Sequence, residues 1–304
     1  MGRDAISLCR FADGAGLETM NTAINAAVLK QIASHYRSLG VKGWLKGLPY
    51  ERCAELSWII DYLEPRFPED LRYLDIGSGE SPLPTFLGVH SLWEITCLDR
   101  CAWVRKQFRF SDRTSRTARP SSRFRVIEKD LLEASLPAAS FDLITCISVI
   151  EHFEGRADTA AIETAARLLR PGGQLILTTP VNEPFFAEFH LNRTVYGAKF
   201  RGTPVFYQRH YDLKSLAERV IEPSGLAERH RVYFGDYGFQ CFEKILQKPK
   251  PLRVLYAWST PRLAMRYLSY RPYPVSRKNM RMNTASGLIL VLEKPLGSGT
   301  QPEL

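Results

Sequence analysis

The stretch "YLDIGSGESPLPTFL", Tyr73 to Leu87, decides the fold. An apolar run leading to Asp75 reads as a buried strand, and Gly77 and Gly79 read as a turn whose backbone must approach something closely. A helix follows. Ser81 is placed to cap it, and Pro82 suits its first turn, where no intrahelical N–H bond is lost. Strand, turn and helix are thus written into fifteen consecutive residues.

Working outward, the same alternation continues. After "LRYLDIG" and "SPLPTFLGV" come "WEITCLD", the helix-like "CAWVRKQF", "RFRVIEKD", "FDLITCISVI", the helix "ADTAAIETAARLLR" and "GGQLILTTP". Strands alternating with helices predict an α/β fold, a doubly wound sheet covered on both faces. Pro171-Gly172-Gly173 reads as a helix stop and turn with no chemistry. Residues 1–70 carry apolar residues at helical spacing, interrupted by "GVKGWLKGLP", and read as an N-terminal helical cap. Beyond Pro180 lies an aromatic, irregular stretch from Val181 to Tyr211, then the helix "DLKSLAERVIEPSGL" and a strand near "RHRVYF". The chain leaves the alternation between Gly235 and Ala285 and returns with a last apolar strand, Ser286 to Lys294. The expected organisation is therefore a cap (1–70), a core (71–234), a basic aromatic insertion over the active edge (235–285), a last core strand (286–294) and a flexible tail (295–304). "RTSRTARPSS", Arg113 to Ser122, reads as a mobile loop.

The 304 residues are 45% apolar and 24% charged, values that argue against disorder and against an integral membrane protein. No apolar run approaches the roughly 18 residues of a spanning helix, and "MGRDAISLCRFADGAG" lacks the pattern of a secretory signal. A cytoplasmic location is expected, with peripheral contact at a membrane left open. The six cysteines, at 9, 53, 97, 101, 146 and 241, show no CxxC pair, so they read as small buried thiols rather than disulfide or zinc ligands. The net charge of +9 is concentrated between Arg100 and Arg125 and between Lys244 and Arg281. Solvated faces, an anionic substrate, nucleic acid or a membrane surface all suit such clusters.

In an open parallel sheet, ligands sit outside the carboxyl ends of the strands. The candidates are Asp75 with Gly77 and Gly79, then Asp99, Asp130, and the group from Ser148 to His152. A dinucleotide site fails: the third glycine of its fingerprint would fall at Pro82, and a pyrophosphate needs free amides at the helix start. A Walker-type loop is absent too. A ligand with a ribose, a cationic centre and no phosphate fits better. Asp99 can accept ribose hydroxyls, Asp130 an exocyclic adenine amine, and Asp75 can attract an amino group beside the glycine turn. That ligand is S-adenosylmethionine.

Here the sequence resembles the class I S-adenosylmethionine-dependent methyltransferases. "LDIGSGES" is similar to the family's first motif, "ITCLDR" to its acidic second strand, and "EKDLLEASLPAASFDLITCISVIEHF" to its adenine acid and fourth strand. "AARLLRPGGQLILTTP" is similar to its fifth-strand unit. The resemblance spans Leu71 to Pro180, and Ser81 departs from it where the family often has a third glycine. It implies a Rossmann-like, mostly parallel seven-stranded sheet, with Asp75, Gly77, Gly79, Asp99, Asp130, Leu131 and Ser148 around S-adenosylmethionine.

Methyl transfer from an activated donor asks the protein chiefly to position donor and acceptor, with a base only where the acceptor must lose a proton early. Glu151 and His152, after the fourth strand, and His210 in "FYQRHYD" are the candidates; packing for His152 and helix capping for His210 are their plain structural readings. Some members of the family bind a divalent metal through ExxEH, but the first glutamate is Ser148 here, so no metal is expected. The expected reaction is O-methylation of a small-molecule, saccharide or lipid-linked acceptor with an anionic part. RNA methylation is the rival, disfavoured because no nucleic-acid module and no "NPPY"-type motif appears; a non-catalytic regulatory protein that binds the cofactor is the other. A last expectation concerns Lys250 to Lys278: Leu252, Leu255, Tyr256, Leu263, Tyr267 and Leu268 as an apolar surface, flanked by Arg253, Arg262 and Arg266, touching anionic lipid, against the alternative of a lid packed on the domain.

Overall fold

The computed structural model describes residues 22–115, 123–182, 185–237, 239, 241, 258–272 and 283–296. Most of the stretch read as a mobile loop, the end of the tail, and Leu252, Arg253, Leu255 and Tyr256 lie outside the described residues.

The quoted stretch folds as read. Strand β2 (Arg72–Ile76) runs into the glycine turn and then helix α4 (Leu83–His90). Strands β3 (Glu94–Asp99), β4 (Phe124–Glu128), β5 (Phe141–Ile147) and β6 (Leu169–Thr179) complete a parallel set, with helix α5 (Lys106–Ser115) before β4 and α6 (Ala157–Leu168) before β6. From β2 the chain builds outward through β3 to β4, then returns to place β5 and β6 on the opposite side of β2. The order therefore reverses at β2, and the glycine turn sits at the point where open α/β sheets bind ligands.

The side-chain period of β2 sorts residues between two layers. Tyr73 joins the cluster formed with helices α1 (Ala26–Ser38), α3 (Tyr50–Leu63) and α4, through Leu29, Ile32, Leu56 and Phe86. Leu74 and Ile76 face the other cluster, with Ile162 and Ala165 of α6. A strand buried on both faces needs apolar residues at both parities, which is why this stretch reads as a run instead of an alternation. Truncating the fully buried Leu74 to alanine would cost about 2 to 5 kcal/mol.

The sheet has nine strands, two more than the resemblance implied. Beyond β6 it continues through β11 (Asn283–Glu293), β9 (Ala227–Tyr237), β10 (Leu268–Arg271) and β1 (Thr22–Ala23), each antiparallel to its neighbour. The extra pair is β10 and β1. β10 covers what would be the open edge of β9, and all four of its residues are buried; an unpaired β9 would expose a row of backbone donors and acceptors. Leu268, expected on an apolar surface, is thus inside the sheet, and Leu263 and Tyr267 of helix α9 (Thr260–Tyr267) pack against the core.

Pro171-Gly172-Gly173 falls within β6 instead of ending at a free turn, and the β5–β6 register shifts between Phe141 and Leu143 to accommodate it. Between β6 and β9, strands β7 (Ala187–Leu191) and β8 (Val205–His210) form a separate two-stranded hairpin. After β8 comes a helical run of α7 (Leu213–Leu216), a π-turn over Ala217–Ile221, and α8 (Glu222–Ser224). Its start is capped by Asp212, paired reciprocally with Ser215, so His210 is not the capping residue. Among the described residues the five cysteines carry free thiols, four of them buried.

Candidate active site

A cavity of about 1030 Å³ opens at the carboxyl ends of β2, β3 and β5. Its wall contains every residue singled out from the sequence: Asp75, Gly77 and Gly79 after β2, Asp99 ending β3, Asp130 and Leu131, Ser148, Glu151 and His152 after β5, and His210 ending β8.

The glycine turn is shaped by positive φ angles of 69° at Gly77 and 46° at Gly79, which side-chain-bearing residues adopt reluctantly. A Cβ on Gly77 would lie 2.4 Å from Val149 Cγ2, so the turn can approach the β5 loop only as glycine. The Gly77 N–H donates to Leu98 O at 2.7 Å. Gln107 Nε2 donates to Gly79 O and Ser81 O, at 3.2 and 2.9 Å, and fixes the turn from outside. Helix α4 begins one residue later than read: Pro82 occupies the N-cap, while Ser81 Oγ still accepts the Leu83 N–H at 3.3 Å.

The three acids at the strand ends differ in their hydrogen-bond surroundings. Asp75 is buried, and its Oδ1 accepts from Thr145 Oγ1 at 2.6 Å, whose hydroxyl in turn accepts from Tyr73 at 2.5 Å. Its Oδ2 is buried without a partner, and burial pushes the carboxyl up to about 6. A buried unpaired carboxylate oxygen is costly, and Asp75 carries that cost on the cavity wall. Asp99 accepts from Gly79 N and Trp103 Nε1 at Oδ2 (3.0 and 3.3 Å) and from Cys101 N at Oδ1 (2.7 Å). A carboxylate offers about four acceptor positions, so Asp99 keeps roughly one for a ligand, or more if the long Trp103 contact yields. Asp130 spends one oxygen on the Leu132 N–H, at 3.0 Å, and Leu131 beside it is buried.

On the other side of the glycine turn, helix α3 contributes a charged group that the sequence reading missed. Glu55, buried, accepts from Ser148 Oγ and Thr178 Oγ1, each at 2.6 Å, and from Arg52 Nη1 at 2.7 Å. Ser148 holds a positive φ of 48° and spends its hydroxyl on that contact, so toward the cavity it offers shape instead of an O–H. Arg52 lines the cavity, and among the described residues its Nε and Nη2 meet no acceptor. Glu51 is pushed up to about 7, chiefly by burial and then by Glu55. The available signal was a charge, Glu55, among Cys53, Ala54, Leu56 and Ile59 on the buried face of a helix whose other charges, Glu51, Arg52 and Asp61, are less buried.

His152 has a fixed tautomer. Its Nδ1 lies 2.7 Å from Tyr207 O, a group that only accepts, so Nδ1 carries the proton. Burial lowers its pKa, leaving a neutral ring with an Nε2 lone pair. Glu151 Oε1 stands 3.9 Å from that nitrogen, beyond hydrogen-bond length, and burial pushes the Glu151 carboxyl up to about 8, so it is protonated at neutral pH. His210 is engaged differently: Gln208 Nε2 donates to its Nε2 at 2.9 Å. The rings of Tyr196 and Tyr207 pack on His152, with centroids 4.9 and 5.4 Å away, and Tyr196 reaches Trp103 at 6.1 Å, forming an aromatic wall that sequence periodicity gave no means of placing. Among the described residues no group of three or more His, Cys, Asp or Glu side chains is gathered as a metal site.

The sequence profile described as "Methyltransferase domain" matches residues 50–220. The chain is 32% identical over 142 residues to the ubiquinone biosynthesis O-methyltransferase of Xanthomonas oryzae pv. oryzae (strain PXO99A), covering 46% of this chain and 55% of that protein. It is 32% identical over 124 residues to the enzyme of the same name from Xylella fastidiosa (strain 9a5c), covering 40% and 46%. The chain thus spans about half the length of the curated relatives it matches. Among solved structures, the Burkholderia thailandensis 1,6-didemethyltoxoflavin-N1-methyltransferase, bound to 1,6-didemethyltoxoflavin and S-adenosylhomocysteine, aligns with a TM-score of 0.48 at 14% identity, over 92% of this chain and 97% of its own. The profile match covers the glycine turn, the three acids and the β5 loop, more than half of the sequence, and the chain therefore belongs to the methyltransferase-domain family.

Proposed function

We propose that this protein is an S-adenosylmethionine-dependent O-methyltransferase acting on a small-molecule or lipid-linked acceptor that carries an anionic part. The observation that carries the reading is the pairing, in one cavity, of a buried carboxylate oxygen lacking a partner at Asp75 with a neutral His152 whose Nε2 is free to take a proton.

The cavity fits the cofactor. Asp75 meets the amino group, Gly77 and Gly79 leave room for the chain between amino group and ribose, Asp99 accepts a ribose hydroxyl, and Asp130 with Leu131 holds the adenine. Arg52, with two unspent nitrogens, takes a carboxylate at the Asp75 end. When bound, S-adenosylmethionine supplies a methyl group activated on a sulfonium sulfur. His152 Nε2 accepts the acceptor's hydroxyl proton, and the oxygen forms its bond to the methyl carbon as the carbon–sulfur bond breaks toward sulfur. The products are a methyl ether, the thioether S-adenosylhomocysteine and an imidazolium ring. Protonated Glu151 keeps negative charge away from that ring before the proton arrives. His210, its lone pair engaged by Gln208, shapes the acceptor side.

Residues 22–70 serve as the cap that contributes Tyr36, Leu48, Glu51 and Arg52 to the wall, and 71–234 as the catalytic core. Oxygen is favoured as the acceptor atom because a positioned neutral imidazole matches a hydroxyl that must lose its proton, and the relatives' printed names agree. Single-turnover transfer of labelled methyl from S-adenosylmethionine into a panel of phenols, catechols and lipid extracts tests the reading: label in an O-methyl product is expected. Label confined to RNA, or stoichiometric donor binding with no transfer to any acceptor class, would overturn it.

A further inference from the structure

Helix α2 (Val41–Lys46) and the start of α9 form an exposed aromatic patch that the proposed chemistry does not use. Val41 is 74% exposed, Trp44 53%, Leu45 45% and Trp258 47%. Tryptophans half out of the protein are unusual for a solvated surface. These two touch edge to face with centroids 5.3 Å apart, and Arg37 lies 5.0 Å over Trp258, so residues from α1, α2 and the approach to α9 make one continuous surface.

Its charge is one-sided. Helices α1, α2 and α9 carry no carboxylate, and of their described basic side chains Lys30, Arg262 and Arg266 are exposed and Arg37 is half-buried. The surface also borders the cavity: Tyr36 on α1, and Leu48 and Pro49 directly after α2, are part of the cavity wall.

From this juxtaposition we infer that the α2–α9 surface docks the protein on an anionic lipid bilayer. Trp44 and Trp258 would sit at the headgroup boundary and Val41 and Leu45 just below it, while the arginines meet lipid phosphates. The seat differs from the one the sequence suggested: Leu263, Tyr267 and Leu268 face inward, and their place is taken by α2. No helix among the described residues is long and apolar enough to cross a membrane, so the contact is peripheral. Docked this way, the cavity wall formed by Tyr36, Leu48 and Pro49 lies beside the bilayer, a short path for an acceptor dissolved in lipid; this last consequence rests on the methyltransferase reading, whereas lipid binding does not.

Flotation with phosphatidylglycerol-containing vesicles and with pure phosphatidylcholine vesicles tests the docking. The parent protein floats with the anionic vesicles at low salt, stays unbound with the neutral ones, and is released as salt rises. Trp44→Ala with Trp258→Ala reduces partitioning at least tenfold, and Arg37→Gln with Arg262→Gln and Arg266→Gln by on the order of a hundredfold, at about fivefold for each basic residue. S-adenosylhomocysteine affinity, measured by calorimetry on the same variants, stays at the parental value and shows that the fold and the cofactor site are intact. Absence of parental flotation at low salt, or equal flotation by the tryptophan variant, overturns the proposal. Self-association of the parent that the tryptophan substitutions abolish, without flotation, assigns the patch to a second copy of the chain and overturns it too.

Discussion

Asp75→Asn separates what a buried carboxyl costs the empty fold from what it does for a ligand. The carboxyl rises from an ordinary 3.8 to about 6 because burial disfavours its charge. A folded-state value above the unfolded one means that the native protein binds this proton more tightly. The resulting stability is fully present below about pH 4 and is lost as pH rises through about 6. At about 1.4 kcal/mol per pH unit, the ionised group costs the empty protein about 3 kcal/mol at pH 7. Asparagine keeps the Thr145 hydrogen bond through its oxygen and places an unpaired amide where Oδ2 is already unpaired. Chemical denaturation should therefore find the ligand-free variant about 1 to 3 kcal/mol more stable than the parent at pH 7, with the difference closing near pH 4. Binding should change in the opposite sense. A charge-assisted hydrogen bond of about 1.5 to 3 kcal/mol is lost, so S-adenosylhomocysteine should bind roughly ten- to hundredfold more weakly. Parental affinity should also fall by up to about tenfold per pH unit below 6, while that of the variant stays flat. Parental affinity in Asp75→Asn, or a flat parental profile from pH 7.5 to 5, would refute the assignment of the Asp75 Oδ2 site to a cation.

Two further outcomes follow from the same geometry. Asp99→Ala should weaken S-adenosylhomocysteine by about 1.5 to 3 kcal/mol in calorimetry, since one strong acceptor position remains open to a ribose hydroxyl, with the far-ultraviolet spectrum unchanged. His152→Ala should lower kcat by on the order of a hundred- to ten-thousandfold while leaving S-adenosylhomocysteine affinity at the parental value, and should abolish the loss of rate at low pH that protonation of Nε2 imposes; a decrease in cofactor affinity alone would make His152 a packing residue.

The strand-end residues were legible because a parallel sheet gives linear sequence a fixed geometric meaning: a residue at the end of β2, β3 or β5 must lie on one edge, and Asp75, Asp99 and Ser148 do. What stayed hidden depended on contacts between distant segments. Glu55 meets Ser148 and Thr178 across more than ninety positions of chain, and no local period marks such a pair. The β10 strand was hidden within a basic, aromatic stretch because four residues are too few for their alternation to stand out, and its polar positions, Ser269 and Arg271, are buried like the apolar ones. Tyr207 is a third kind of case: its contribution to His152 is a backbone carbonyl, and any side chain would have supplied the same group. Pro82 shows the limit of local rules, since both cap and proline were read correctly in kind and displaced by one residue in position.

Cofactor binding at the glycine turn is read out by calorimetric titration of the unaltered protein with S-adenosylmethionine, S-adenosylhomocysteine and NAD in parallel. One site per chain is expected for the first two, each raising the unfolding temperature; saturation at a hundred times Kd should add about 2.7 kcal/mol of stability. NAD should give no heat, because Pro82, at the N-cap of helix α4, has no N–H to offer a pyrophosphate and the Leu83 N–H is taken by Ser81 Oγ. Binding of NAD with affinity equal to that of S-adenosylhomocysteine, or no binding of either sulfur ligand at millimolar concentration, would contradict this reading of the turn.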